Sequence, residues 1–231
     1  MIDAIDLEKR YGRTTALHQA TFRVPPERLL AVIGPSGSGK TTLLRLIAGL
    51  EKPDGGQIRL NSVVVSGPET LVPSYRRNLS MIFQDLALWP HMTVSEHLQF
   101  AVPEGRHADA SAIVRTFLQK LHLDRLQARY PAQLSGGEKQ RLAIARALIS
   151  SPSYLLMDEP FSQLDFRLRK EMHAWLQTIQ QETPLTVVYV THSLDEVMLM
   201  ADDVLVLDKG AVKFEGNRTA FQLAFKHYFD R

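Results

Sequence analysis

Residues 34–42, Gly34-Pro35-Ser36-Gly37-Ser38-Gly39-Lys40-Thr41-Thr42, combine the residue types that a polyphosphate requires. Glycines at 34, 37 and 39 let the backbone curl tightly enough to turn successive N–H groups inward, where they meet phosphate oxygens. The loop follows the apolar run Leu29-Leu30-Ala31-Val32-Ile33 and precedes Leu43-Leu44-Arg45-Leu46-Ile47-Ala48. A strand, then G-x-x-x-x-G-K-T, then a helix is the order that makes the pattern a phosphate site. The helix adds the positive end of its dipole at the same place. This spacing predicts that Lys40 reaches the β- and γ-phosphates and that the Thr41 hydroxyl ligates Mg²⁺, with Pro35, Ser36, Ser38 and Thr42 completing the cradle.

Two further stretches carry matching chemistry. Tyr154-Leu155-Leu156-Met157-Asp158-Glu159-Pro160 ends an apolar strand in adjacent carboxylates. Opposite a phosphate-loop threonine, an aspartate at such a strand end holds Mg²⁺, which makes Asp158 a metal candidate. Glu159, one residue on, points elsewhere and is the candidate to orient, or take a proton from, an attacking water. Leu134-Ser135-Gly136-Gly137-Glu138-Lys139-Gln140-Arg141 sets a hydroxyl and glycine N–H groups at a helix start. That is the physics of a second anion site, and taken alone it is equally a cap and turn.

The elements that position these residues can be read from periodicity. Residues 4–9 and 16–24 alternate as strands, with Gly12 turning between them, and 57–60 and 63–65 continue an antiparallel sheet. Residues 78–83 form a core strand ending at Gln84. Helical patterns follow at 95–102, 108–121 and 136–150. Then come a strand at 154–157, a helix at 166–181 and a β-branched strand at 185–190. A helix at 193–201 is predicted to be capped by Ser193 with Glu196 three residues on. Strands at 204–207 and 212–214 precede a final aromatic-rich helix reaching Arg231. Strands alternating with helices predict an α/β core around a parallel sheet, interrupted from 85 to 150 by a helical insertion.

Bulk composition narrows the class. The 231 residues are 45% hydrophobic and 23% charged, as in a globular protein able to bury a core. No apolar run approaches the roughly 18–20 residues that cross a bilayer, and the acidic N-terminus lacks the regions of a signal peptide. The absence of cysteine excludes disulfides and thiolate metal sites, and eight scattered histidines show no ligand spacing. A formal charge of +2 is too small to argue for nucleic acid or anionic lipid as partner.

The order and spacing of the three motifs resemble ABC ATPases over essentially the whole chain, and Leu134–Arg141 matches that family's signature sequence. The resemblance implies a P-loop NTPase (RecA-like) α/β core with a parallel sheet, an antiparallel β subdomain and an inserted α-helical subdomain. Residues 1–84 and 151–231 would form the core with its β subdomain, and 85–150 the helical subdomain, within one domain. By the same resemblance, Tyr11 stacks on adenine and Gln84 touches Mg²⁺ or the attacking water. Ser135, Gly136 and Gly137 face the γ-phosphate held by a partner copy. Ser162-Gln163-Leu164-Asp165 matches the loop at the dimer seam, with Gln163 where many relatives have alanine. His192, after Thr191, is the switch histidine at the γ-phosphate.

The resemblance also implies ATP hydrolysis by two copies arranged head to tail, with Mg²⁺-ATP as cofactor. With no membrane span of its own, the chain would sit at the cytoplasmic face of the inner membrane. It would energise integral permease subunits docking near residues 89–102, together with an extracytoplasmic substrate-binding protein. The run Leu88-Trp89-Pro90-His91-Met92-Thr93-Val94 resembles bacterial importers for iron, polyamine, sulfate, thiamine or sugars, although the same residues could instead pack the helical lobe internally. Those importers often append a C-terminal regulatory β-domain that is missing before Arg231. An exporter or lipid-extraction ATPase is the alternative. A soluble ABC switch acting on ribosomes or DNA is disfavoured by a single copy without a coiled-coil arm.

Overall fold

The computed structural model describes residues 1–161 and 164–225. Among these residues, β1 (Ile2–Tyr11), β2 (Thr14–Val24), β4 (Gly55–Leu60) and β5 (Val63–Ser66) form an antiparallel sheet in the order β2-β1-β4-β5. A second sheet runs β10-β9-β3-β8-β7-β6, built from β3 (Leu29–Ile33), β6 (Leu79–Ile82), β7 (Tyr154–Asp158), β8 (Thr186–Val190), β9 (Asp203–Asp208) and β10 (Ala211–Asn217). It is parallel throughout except for the β9–β10 hairpin.

The central strands are apolar at nearly every position because both faces of the sheet are covered. Side-chain alternation then divides each strand between two cores. Leu29, Ala31 and Ile33 of β3, Leu155 and Met157 of β7, and Val187 and Tyr189 of β8 join one core. That core takes in α2 (Val94–Ala101), α3 (Ala110–Lys120), α4 (Gly136–Ile149) and α5 (Phe166–Glu182). Leu30, Val32, Tyr154, Leu156, Val188 and Val190 face the other way, onto α1 (Lys40–Ala48) and the antiparallel sheet. The chain continues through α6 (Leu194–Met200) to α7 (Arg218–Ala224). The expected aromatic helix beyond residue 225 lies outside the described residues.

Most expected elements stand within two residues of their predicted limits. The third helix begins later than residue 108, because Glu104–Asp109 is wound as 3₁₀ turns. The Ser193 cap forms, accepting from the Glu196 N–H at 3.3 Å, but its reciprocal half does not. The Glu196 carboxylate turns into the core toward Tyr189 and Thr191 instead.

His173 of α5 shows how burial sets a pH response. It is 2% exposed, its ring meets Phe161 edge-on at 4.7 Å, and neither ring nitrogen has a hydrogen-bond partner among the described residues. Burial pushes its pKa down to about 4, against the Glu196 charge and with the help of Arg169. The unfolded chain, with His near 6.5, therefore takes up this proton first as pH falls. The stabilisation is complete above about pH 6.5 and is lost as pH drops toward 4, a range worth about 3 kcal/mol. His173→Phe is expected to flatten the decline of Tm between about pH 6.5 and 4.5, and parallel declines in both proteins would refute this.

Candidate functional site

The phosphate loop leaves the C-terminal end of β3, at the centre of the parallel sheet and between β8 and β9. Crevices at such strand ends are where open α/β sheets bind ligands. Two glycines are required by close approach. A Cβ on Gly34 would lie 2.0 Å from the Leu207 carbonyl oxygen, and one on Gly39, at φ +104°, would lie 2.4 Å from that of Ala16. Gly37, at φ +77°, has open space where a Cβ would point. Gly39 begins α1 without any side-chain cap, so the first N–H groups of the helix are left for an anion. The Ser38 hydroxyl is buried within the loop with no hydrogen-bond partner among the described residues.

Lys40 folds back over the loop, its Nζ donating to the Gly34 and Pro35 carbonyls at 2.8 and 2.9 Å. Burial lowers its pKa, and the carboxylates of Glu159 and Asp158 oppose that shift. The Thr41 hydroxyl donates to Asp158 Oδ2 at 2.8 Å. These two residues share a cleft of about 460 Å³ with Arg45, Phe83, Gln84 and Asp85. Burial pushes the Asp158 carboxyl up, the Thr41 hydroxyl holds it down, and Glu159 adds a further upward push. A divalent cation would relieve both upward pushes.

The donor set fits Mg²⁺. A threonine hydroxyl, an aspartate carboxylate and a glutamine amide oxygen are hard oxygen ligands lining one cleft. Among the described residues no group of three His, Cys, Asp or Glu could hold a metal instead.

Glu159 follows β7 in the left-handed region, at φ +48°, with its N–H bonded to the Val190 carbonyl at 3.1 Å. A non-glycine residue held there by a neighbouring strand is a feature of functional turns. Its Oε1 lies 3.3 Å from His192 Nδ1, so the two catalytic candidates meet at the ends of adjacent strands.

Tyr11, 45% exposed, lines a second cleft of about 220 Å³ with Thr14, Thr15, Ala16, Gly37, Gly39, Lys40, Thr41 and Thr42. Its hydroxyl donates to Glu51, and the Lys9 ammonium stands 5.4 Å from its ring centroid. The ring is therefore held at the mouth of the phosphate loop.

Ser135, Gly136 and Gly137 line neither cleft. Ser135 is exposed at the start of α4 in a full capping box, accepting from the Glu138 N–H at 3.3 Å while Glu138 accepts from the Ser135 N–H at 2.7 Å. Asp165 caps α5, accepting from the Leu168 N–H at 2.9 Å. Ser162 and Gln163 lie outside the described residues. The cap reading of the Ser135 motif is thus realised within one chain, and Asp165 serves as a cap as well.

Trp89 is half-buried against α2 and α4, which favours internal packing for this residue. Its ring stacks on His97 at 5.4 Å, meets Phe100 edge-on at 5.1 Å and lies under the Arg146 guanidinium at 4.8 Å. His97 Nδ1 lies 2.8 Å from the Thr93 carbonyl, and its Nε2 accepts from the Trp89 N–H at 2.9 Å, which is the neutral tautomer. Pro90 and His91 remain exposed, and Phe100 is 66% exposed. Arg146 had no sequence signal. From α4 it donates to the Leu86 and Ala87 carbonyls at 2.9 and 2.6 Å, fixing the loop after Gln84 where both residues take positive φ.

Residues 17–162, which run from within β2 past Glu159, match the family described as ABC transporter. The chain belongs to the ABC transporter family. Among curated relatives it is 43% identical over 214 residues to the sulfate/thiosulfate import ATP-binding protein CysA of Synechocystis sp., covering 91% of this chain and 59% of that protein. The CysA protein of Mycobacterium tuberculosis is 44% identical over 216 residues, covering 93% and 60%. The chain thus spans about three fifths of the length of these relatives. The dimeric ABC transporter cassette MJ0796 superposes with a TM-score of 0.84 at 28% identity, covering 94% of this chain and 98% of that one. Its post-hydrolysis state bound to ADP and Pi gives 0.82 at 26%, with the same coverage. An Atm1-family ABC exporter with ATP bound gives 0.85 at 26%, covering 99% of this chain and 40% of that one. The α/β fold with one parallel and one antiparallel sheet is that of an ABC cassette.

Proposed function

We propose that this chain binds and hydrolyses Mg²⁺-ATP as one half of a head-to-tail dimer, and that dimer closure energises import through separate membrane permease subunits. The observation that carries this reading is the Thr41–Asp158 contact at 2.8 Å beside Gln84 in one cleft. Bound Mg²⁺-ATP supplies the phosphoanhydride to be cleaved and a dication that neutralises the developing charge. Lys40 and the uncapped start of α1 present positive charge to the phosphate chain, and Tyr11 holds the base. Thr41, Asp158 and Gln84 orient the metal, Glu159 holds the attacking water, and His192 reads the terminal phosphate. Ser135, Gly136 and Gly137, open on the surface of α4, close over the nucleotide of the other copy.

Residues 85–150 act as a helical lobe of one ABC domain, with the core in 1–84 and 151–231. The exposed Pro90, His91 and Phe100 face the permease. No described helix is long and apolar enough to cross a membrane. The chain would therefore work as a peripheral subunit, at the cytoplasmic face of the inner membrane, with an extracytoplasmic substrate-binding protein upstream. The import direction rests on the names of the curated relatives, because an exporter cassette shares the fold. Sulfate and thiosulfate are the first cargoes to assay.

Turnover of ATP by the purified chain is expected to require Mg²⁺. Lys40→Ala is expected to weaken ATP binding about 10- to 100-fold, the worth of a lost charge-assisted contact. Equal turnover in EDTA, or an unchanged affinity in Lys40→Ala, would refute the assignment.

A further inference from the structure

Arg169 of α5 stands between two loops that the proposed function assigns to different nucleotides. Its Nη2 donates to the Leu164 carbonyl at 3.1 Å, and its Nη1 lies 3.4 Å from Glu196 Oε1. Glu196 is buried, and its Oε2 accepts from the Thr191 hydroxyl at 2.5 Å and from the Tyr189 hydroxyl. The Thr191 oxygen in turn accepts from the Ser193 N–H at 3.0 Å, and the Ser193 hydroxyl from the Glu196 N–H at 3.3 Å. The carboxylate thus holds the Thr191 hydroxyl directly and the Ser193 N–H through it, on the two sides of His192, and Arg169 is the cation beside that carboxylate. Two hydroxyl donors and a guanidinium satisfy the oxygens of this buried carboxylate.

On the opposite side, Leu164 reaches the signature helix. A Cβ on Gly137 would lie 3.2 Å from Leu164 Cδ2 and 3.7 Å from Leu168 Cδ2, so the start of α4 packs directly on the turn whose carbonyl Arg169 holds. Close packing of Gly137 on Leu164 is thus followed by polar contacts from Leu164 through Arg169 and Glu196 to the Thr191–Ser193 turn. The first of these residues belongs to the face that would close on the other copy's ATP. The last turn carries the histidine that would serve this copy's own.

We propose that Arg169 is a positioning residue that couples the signature face of a subunit to that subunit's own His192, so that closing on the neighbour's nucleotide sets where His192 stands. The inference rests on the head-to-tail dimer reading and adds a direction of communication inside one chain. A planar fork suits the task because two of its nitrogens serve different acceptors at once in a fixed geometry, which a single ammonium nitrogen does not reproduce.

The test is steady-state Mg²⁺-ATP hydrolysis by the full chain across ATP concentrations, with nucleotide Kd and Tm measured on the same preparations. Arg169→Met is expected to lower kcat about tenfold, with KM and Kd changed less than about twofold, and to bring the Hill coefficient in ATP toward one. Arg169→Lys keeps the cation and the stem, so it should fold in any case, and it is expected to reproduce at least about a threefold loss of kcat. Combining Arg169→Met with Glu196→Gln should cost less than the product of the single losses, because both act on one path. A parental kcat and Hill coefficient in Arg169→Lys, or fully multiplicative losses in the double variant, would overturn the coupling. His192→Ala is run alongside. A parental rate in that variant would overturn the site reading itself, whereas a loss there with none in either Arg169 variant overturns only the role of Arg169.

Discussion

Glu159→Gln is expected to lower Mg²⁺-ATP turnover by at least about a hundredfold, the range in which a positioned general base contributes. ATP binding should be retained, and an ATP-dependent dimer should accumulate. The substitution keeps the shape of the side chain and removes only the carboxylate charge. Glu159 touches neither the phosphate loop nor α1 by hydrogen bond; its backbone is pinned to Val190 and its carboxylate lies 3.3 Å from His192 Nδ1. Affinity for nucleotide is instead carried by Lys40, Thr41 and the helix start. Removing one negative charge beside Lys40 should, if anything, strengthen binding of a polyanion, because Glu159 is the leading carboxylate acting on that lysine. Rate and affinity are therefore expected to move apart, and the closed state should persist because the step that ends it is slowed. Turnover together with light scattering in ATP checks both halves. Turnover near the parental rate would remove Glu159 from its role, and loss of ATP binding would move it from chemistry to the cradle.

What the sequence made legible divides along a physical line. Residues 34–42 could be read because the chemistry is local: a loop of nine residues brings its own N–H groups, lysine and hydroxyl together whatever the rest of the chain does. Asp158 and Glu159 could be read because a strand end puts neighbouring side chains in opposite directions. The strands could be read because β3, β7 and β8 are buried on both faces. Ser193-x-x-Glu196 shows where such reading stops. The local rule pairs the two residues reciprocally, but Tyr189 and Thr191 offer the Glu196 carboxylate two hydroxyls from β8 and the turn after it, and tertiary donors win over the local one. The packing of Trp89, which the sequence left open, is decided in the same manner by Arg146, far along the chain on α4, stacking on its ring. Arg146, Arg169 and Arg77 left no trace in any spacing because each gains its meaning from acceptors that the fold brings to it: carbonyls for Arg146 and Arg77, the Glu196 carboxylate for Arg169.

Arg77→Met is accordingly expected to destabilise the protein by about 3–5 kcal/mol, the cost of leaving several buried carbonyls without donors at about 1–3 kcal/mol each. Arg77 is 3% exposed, and burial lowers its pKa to about 10, leaving it charged at neutral pH. Its guanidinium makes five hydrogen bonds, none to a carboxylate: Nε to the Val72 carbonyl at 2.7 Å, Nη1 to those of Leu46 and Ile47 at 3.3 and 2.8 Å, and Nη2 to the Val65 carbonyl and Ser66 Oγ at 2.9 and 2.8 Å. Leu46 and Ile47 lie in the last turn of α1, where orphan carbonyls and the negative end of the helix dipole favour a cation. Val65 and Ser66 belong to β5, so one side chain ties the antiparallel sheet to the C-terminus of the helix whose N-terminus holds the phosphates. Gly49 makes room for it. A Cβ there would lie 2.4 Å from the Arg77 Cζ, and φ at Gly49 is +74°. Methionine would fill much of the volume but leave these buried carbonyls without donors, and lysine could serve only one or two of them. At about 2–4 °C per kcal/mol for a chain of this size, Tm should fall by roughly 10 °C in Arg77→Met. A smaller fall is expected in Arg77→Lys. A change below about 1 kcal/mol in urea unfolding of Arg77→Met would show that water replaces the guanidinium at those carbonyls.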